Sequence, residues 1–296
     1  MPVKHTSIFP VRFYECDSYS HVNNSNYVRY MQEAAFAASK AAGYGDARYE
    51  EMGVIWLIRD TEVEYLKPLR YGETAAVTTW VGDFRRVRSR RMYEVKAEGD
   101  GELRARGSTD WVLLDRESYR PVSIPDEIKQ AFFPEGPPEQ APPRAGFPAA
   151  PPPPEGAVVI RRQVAWEDVD PAGHVNNAKY FSYIEEAGIQ AAAQFGVLMS
   201  DYLEQGFGSV ARRTRVEYKQ QVRLGEDLEI TTFLSDVRAT SANRHFIIRR
   251  AADEELVAQA VVLWVYIDLE SGRPARFPQE SRDRLAAHIA DGKGAA

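Results

Sequence analysis

Two short segments carry the residue types of acyl chemistry. In the first, Asp17 precedes His21 by four residues, and Val22-Asn23-Asn24 follows, with Tyr27 and Tyr30 beyond. In the second, Asp170 precedes His174 by the same four, and Val175-Asn176-Asn177 follows, with Tyr180 and Tyr183 beyond. A loop carboxylate can attack a carbonyl carbon, or take a proton from a water that does so. Each segment runs into a helix-forming stretch, and a helix N-terminus presents unpaired N–H groups and a partial positive charge. A carbonyl oxygen resting there is polarised as in an oxyanion hole. These parts are the minimum for acyl transfer to water. The plainer alternative is that Asp17 caps the helix or fixes the loop.

Other residues of the segments are two-sided as well. His21 and His174 either orient the carboxylate or a water, or only fill a hydrogen bond in the loop. Asn23 and Asn176 read as loop and cap residues. Glu33 and Glu186 lie one helical turn beyond Tyr30 and Tyr183 and read as acids packed onto loop backbone. Cys16 adjoins Asp17, but its counterpart is Val169, so no mechanism shared by both segments uses its thiol.

The two segments belong to a tandem duplication with an offset of 153 residues. Val63-Glu64-Tyr65 returns as Val216-Glu217-Tyr218, Trp111-Val112 as Trp264-Val265, and Arg120-Pro121 as Arg273-Pro274. Between the copies, ten of the 18 prolines fall from Pro134 to Pro154. Such a stretch favours an extended, semi-rigid strap on the surface. The expected organisation is therefore a first domain over 1–130, a proline-rich linker over 131–157, a second domain over 158–281 and a polar tail over 282–296.

Each copy reads as strand, loop, helix and four further strands. Residues 6–14 form the first strand and 15–23 a polar loop. Residues 24–42 hold helix formers without Gly or Pro and stop at Gly43. Strand-like runs follow near 54–68, 73–84, 87–98 and 102–115, joined by short turns that favour antiparallel pairing. One long helix on one antiparallel sheet is an α+β layer. A single copy would expose a sheet edge, and pairing the copies as an intramolecular pseudo-dimer would cover it.

Composition narrows the classes of function. Hydrophobic residues make up 44% and charged residues 27%, enough to bury real cores. The net charge of −6 argues against a general nucleic-acid binder. One cysteine excludes an intrachain disulfide and a cysteine-cluster metal site. The start lacks an apolar signal region, and no apolar run approaches the ~18–20 residues of a membrane span. The expected location is the cytoplasm, with no membrane partner.

With these residues in view, the chain resembles the hotdog-fold thioesterases of the 4-hydroxybenzoyl-CoA thioesterase type. The resemblance rests on Asp-x-x-x-His-Val-Asn-Asn-x-x-Tyr, the helix after it, and Val63-Glu-Tyr-Leu-Lys-Pro-Leu-Arg-Tyr-Gly-Glu73. It covers about 5–130 and 158–280. Copy one looks closer to long-chain acyl-CoA thioesterases. Copy two combines Asp170-Pro-Ala-Gly173 of the 4-hydroxybenzoyl type with the His-Val-Asn-Asn-x-Lys-Tyr of plant acyl-ACP thioesterases, whose tandem arrangement is also similar. The resemblance implies that Asp17 and Asp170 are the catalytic carboxylates and that helix N-terminal amides hold the thioester carbonyl. It also implies a site where two hotdog units meet, and no metal or redox cofactor beyond coenzyme A as part of the substrate. One departure stands out. The plant enzymes carry Asn two residues after the Asp, where this chain has Tyr19 and Ala172, so the two copies are not chemically equal.

His21 and His174 complete the expected catalytic set. Asn23, Asn24, Tyr27, Asn176, Asn177 and Tyr180 are expected to contact substrate at the loop–helix junctions. Coenzyme A carries phosphates and acyl carrier protein is acidic, so both favour cations. Arg85, Arg86, Arg88 and Arg91, among five arginines in the seven residues of a strand-turn-strand, suit either. A solvated hairpin tip is the alternative. The preferred substrate is an acyl-CoA, with acyl-ACP second, and a homo-oligomer of the whole chain is compatible with this reading. Two rivals remain. A hotdog enoyl hydratase or dehydratase would carry Asp-x-Asn-Pro-x-His, but here the spacing is four rather than five and Asn-Pro is absent. A non-catalytic acyl-CoA-binding module would typically lack the loop Asp, which is present twice. A scaffold role has no positive support.

Overall fold

The computed structural model describes residues 1–136 and 143–290. Residues 137–142 of the expected linker and 291–296 of the expected tail lie outside the described residues. The chain divides into two units, Met1–Ala145 and Gly146–Ala296.

In the first unit the elements are β1 (Lys4–Pro10), α1 (Asn24–Ala41), α2 (Asp46–Glu51), β2 (Val54–Tyr65), β3 (Thr74–Phe84), β4 (Arg88–Ala97), β5 (Leu103–Asp115) and α3 (Asp126–Phe132). The strands are antiparallel in the order β1-β3-β4-β5-β2. Burial along β3 alternates strictly, with Ala75, Val77, Thr79, Val81 and Asp83 turned inward. That is the period of two a half-buried strand requires. Helix α1 lays Tyr27, Val28, Met31, Ala34, Ala35 and Ala38 into the core. Its approach is close at Gly107, where a Cβ would stand 2.7 Å from the Met31 methyl. Gly43, at φ +88°, ends the helix in the left-handed conformation glycine tolerates.

The second unit repeats the plan with β6 (Val158–Gln163), α4 (Asn177–Gln194), α5 (Met199–Glu204), β7 (Phe207–Tyr218), β8 (Asp227–Ser235), β9 (Ser241–Arg250), β10 (Leu256–Asp268) and α6 (Gln279–Arg284). Its order is β6-β8-β9-β10-β7, again antiparallel. One long helix against one antiparallel sheet, twice in one chain, is the tandem hotdog α+β fold.

Five expectations need correction. The first strand spans 4–10 rather than 6–14, because the Arg12 N–H turns to the Glu15 carboxylate at 2.8 Å and residues 13–15 close a 3-10 turn. Short helices α2 and α3 and their counterparts were not expected. The first unit continues past 130, since Phe132 and Phe133 are core residues. Nor is the stretch from 282 a polar tail throughout, because Leu285, His288 and Ala290 are buried and the Ala290 N–H donates to the Leu234 carbonyl. The linker is more than a solvent-borne strap too. Arg144 is ion-paired with the buried Asp83 and Asp110, while Phe147 lies 5.4 Å from the Arg215 guanidinium.

Candidate active site

Each Asp loop is a small closed device. In the first unit Cys16 and Val22 form an antiparallel bridge, the Asp17 N–H donates to the His21 carbonyl at 2.8 Å, and Ser20 takes φ +58° to turn the chain. Asp17 Oδ1 accepts the Tyr19 N–H at 2.9 Å and the His21 N–H at 3.4 Å. Its Oδ2 carries no hydrogen bond among the described residues. Burial pushes the Asp17 carboxyl above the usual carboxylate value, against the pull of the two loop amides.

The second loop has the same frame, with a Val169–Val175 bridge and the Asp170 N–H on the His174 carbonyl at 3.1 Å. Here both carboxylate oxygens are engaged. Oδ1 accepts the Ala172 N–H at 2.9 Å, and Oδ2 accepts Asn176 Nδ2 at 3.1 Å. Tyr19 and Ala172 thus serve the Asp through their backbone amides.

Both loops end on a capped helix. Asn23 Oδ1 accepts the Ser25 N–H at 3.0 Å, and Asn176 Oδ1 accepts the Ala178 N–H at 3.0 Å. The Asn23 and Asn176 carbonyls take the next amides, from Asn26 and Lys179. At the start of α4 the Asn177 N–H keeps no acceptor among the described residues. An amide so placed can receive a carbonyl oxygen. Asn24 and Asn177 also anchor the junction through their carbonyls, which accept Tyr65 and Tyr218 hydroxyls.

The histidines differ. Burial, and then the charge of Arg70, hold the His21 imidazole down at about 4, so it is neutral at physiological pH. His174 places Nδ1 3.5 Å from the Val175 carbonyl, and its Nε2 is buried without a hydrogen-bond partner among the described residues. That lone nitrogen can hold a water or a substrate atom.

Several expected site residues serve the framework instead. Tyr27 is 2% exposed, and its hydroxyl accepts the Leu69 N–H at 2.9 Å; Tyr180 is buried edge-on against Tyr218. Burial raises both phenols, so neither ionises near neutrality. Arg91 is buried, donates to Ser39 Oγ at 3.4 Å and stacks 5.3 Å from the Phe132 ring. Ser39 lies 15 residues beyond Asn24, about 22 Å along the helix at 1.5 Å per residue. Arg85, Arg86 and Arg88 stay exposed at the hairpin, where Arg86 Nε lies 3.4 Å from Ser123 Oγ. Glu33 and Glu186 are also exposed, the latter accepting from Gln190. Cys16 keeps its proton, since burial raises its thiol.

Two acids buried beside the loops, Glu15 and Asp168, were passed over by sequence reading. Glu15 accepts the Tyr30 hydroxyl at 2.6 Å. Asp168 is ion-paired with Arg162 at 3.3 Å and Lys179 at 3.1 Å. Each braces the turn that delivers the loop Asp two residues later. The signal was an acid kept at one offset in both copies.

Comparison with known proteins finds thioesterases. A family model described as the acyl-ACP thioesterase N-terminal domain matches residues 2–132, and one for the thioesterase-like superfamily matches 164–285. YneP of Bacillus subtilis (strain 168), named as a candidate acyl-CoA thioesterase, is 32% identical over 122 residues, covering 41% of this chain and 85% of YneP. The chloroplastic palmitoyl-acyl carrier protein thioesterase of Cuphea hookeriana is 28% identical over 190 residues, 60% of this chain. That match spans 45% of the plant protein, so the chain covers about half the length of such relatives. Among solved structures, the 12:0-ACP thioesterase of Umbellularia californica shares the fold at TM-score 0.70 and 20% identity, over 89% of this chain and 98% of that one. A candidate oleoyl thioesterase of Lactobacillus plantarum does so at TM-score 0.76 and 19% identity, over 89% and 96%.

Proposed function

The chain belongs to the thioesterase-like superfamily, and from that premise we propose that it hydrolyses an acyl thioester carried on coenzyme A or on acyl carrier protein. The observation that carries the reading is the loop carboxylate closed onto a capped helix start, built twice from the same backbone bonds. In the second unit the thioester carbonyl oxygen sits at the Asn177 N–H, which takes up charge as the carbonyl carbon becomes tetrahedral. Asp170, steadied by Asn176, either takes the proton of an attacking water or attacks the carbon itself to give an anhydride that water then opens. In both routes water supplies the oxygen of the released acid, and the thiolate leaves with a proton. His174 Nε2 holds the water. His21, neutral at working pH, holds a water or the loop and does not act as an acid. Exposed Arg85, Arg86 and Arg88 suit the phosphates of coenzyme A or an acidic carrier surface.

The test is thiol release from acyl-CoAs, acetyl through palmitoyl with benzoyl and phenylacetyl, and from matching acyl-ACPs. Wild type is expected to turn over at least one of them. The Asp17→Asn/Asp170→Asn double variant is expected to lose at least ~10²-fold in rate, the scale of removing general-base catalysis. Full activity in that variant would overturn the site assignment.

A further inference from the structure

The two copies fill the far end of their helices differently. In the first unit Trp56, Phe84 and Phe132 pack together with Phe133, Ile128 and Leu113. The residues at the same places in the second unit are Ser209, Val237 and Leu285. Three ring systems are thus replaced by smaller side chains, and a cavity opens among the C-terminal half of α4, α5, the 285–289 segment and the ends of β8, β9 and β10. Its empty volume is about 790 Å³, counting the space open to solvent at its mouth. Apolar groups such as Ala192, Val197, Met199, Tyr266 and Ile289 form most of its wall, and no carboxylate lines it.

Two polar groups facing this cavity lack the partners their counterparts have. Arg244, the equivalent of Arg91, is 6% exposed. Arg91 has the Ser39 hydroxyl and the Phe132 ring; Arg244 has Ala192 and Leu285 in their places. It donates to His288 Nε2 at 2.9 Å and lies 3.5 Å from Thr232 Oγ1. His288 accepts there because its Nδ1–H is given to the Gly156 carbonyl at 3.0 Å. None of these partners is an anion. Trp111 donates its indole N–H to Thr109 Oγ1 at 2.7 Å, but Val262 stands where that threonine was, and Trp264 Nε1 is buried without a partner among the described residues. Register places Val262 opposite Arg244, and Trp264 opposite Ala242. Arg244 and Trp264 are therefore diagonal neighbours on one sheet face, within reach of a shared group.

We infer that this cavity of the second unit is a binding site for an apolar monocarboxylate, its carboxylate on Arg244 and the Trp264 indole N–H and its apolar body among the α4, α5 and 285–289 side chains. A buried guanidinium without a counter-ion favours an anion strongly in a medium of low dielectric, and the walls select an apolar acid over a phosphate. The free acid released by thioester hydrolysis has this chemistry, and so does any other aliphatic or aromatic acid. The site does not depend on the hydrolytic reading.

Calorimetric titration of the full chain with sodium decanoate, decanol and benzoate tests it. Decanoate or benzoate is expected to bind once per chain, and the preferred acid tells an aliphatic from an aromatic source. Ser209→Trp, which restores the copy-one residue, is expected to weaken acid binding at least tenfold. Arg244→Met is expected to do the same while leaving decanol binding unchanged. Ser209→Trp needs no buried charge removed, so it remains informative where Arg244→Met does not fold. The Asp17→Asn/Asp170→Asn variant is expected to bind the acid as wild type does. Acid binding that survives Ser209→Trp but vanishes in the double Asp variant would put the acid at the loops and overturn the inference. No binding of either acid to wild type at millimolar concentration would also overturn it.

Discussion

Asn176 joins the two halves of the second site, with Nδ2 on Asp170 Oδ2 at 3.1 Å and Oδ1 on the first turn of α4 at 3.0 Å. One side chain therefore sets both the carboxylate's orientation and the helix start proposed to receive the carbonyl. Replacing it separates the roles. Asn176→Ala is expected to cost about 1 kcal/mol through the lost cap and to lower kcat of the second site. Asn176→Asp keeps a capping oxygen but sets a carboxylate beside Asp170. It is expected to retain the melting temperature and lose the activity. Both are read in an Asp17→Asn background by thermal unfolding and thiol release; unchanged kcat in Asn176→Asp would remove the positioning role.

Activity that rests on Asp17 should show a displaced acid limb. Burial raises the Asp17 pKa from its ordinary 3.8. The charged form is the reactive one, so activity carried by Asp17 falls as pH drops through that raised value. The Asp170→Asn variant, which leaves Asp17 working, should show its acid limb above the ordinary carboxylate range. A limb at or below 3.8 would remove the burial argument. Linkage has the same sign: a raised folded pKa favours the folded state at low pH, and that share is lost as pH rises through it. Asp17→Asn should then raise the melting temperature at pH 8 relative to wild type, and less so at pH 4.

His21 and His288 both resist protonation, each held at about 4, by burial first and a neighbouring arginine second. Their folded values lie below the ordinary 6.5, so the folded state binds fewer protons than the unfolded chain. Their stabilisation is full above pH 6.5 and is lost as pH falls toward 4. The melting temperature should drop across that window, and His288→Asn should flatten the drop. NMR titration should find both imidazoles neutral at pH 6; an inflection near 6.5 at either would refute this account for that residue.

Tyr30 supplies a buried donor to Glu15. Tyr30→Phe removes it and leaves the acid with the Arg12 backbone and a 3.5 Å contact to its guanidinium. The expected cost is about 1–3 kcal/mol, a fall in melting temperature of several degrees. A change under 1 °C would show that the pair does not brace the loop.

The sequence by itself determined a good deal. A repeat compares a chain with itself, so Asp17/Asp170, His21/His174 and the Asn caps stood out without any other protein. The helix over 24–41 and the strands after it were readable because period, glycine stop and cap are local properties. Tertiary structure alone decided the roles that depend on burial. Nothing local separates Arg91, stacked on Phe132, from Arg88 in solvent, or tells that Glu15 rather than Glu33 is the acid turned inward. Tyr27 and Tyr180 have the spacing of site residues, yet their rings are buried in the core. The unpaired state of Arg244 and Trp264 needed the fold as well. It follows from which side chains three separate elements bring together, and the replacement of three rings by Ser209, Val237 and Leu285 acquires meaning only once those positions are neighbours.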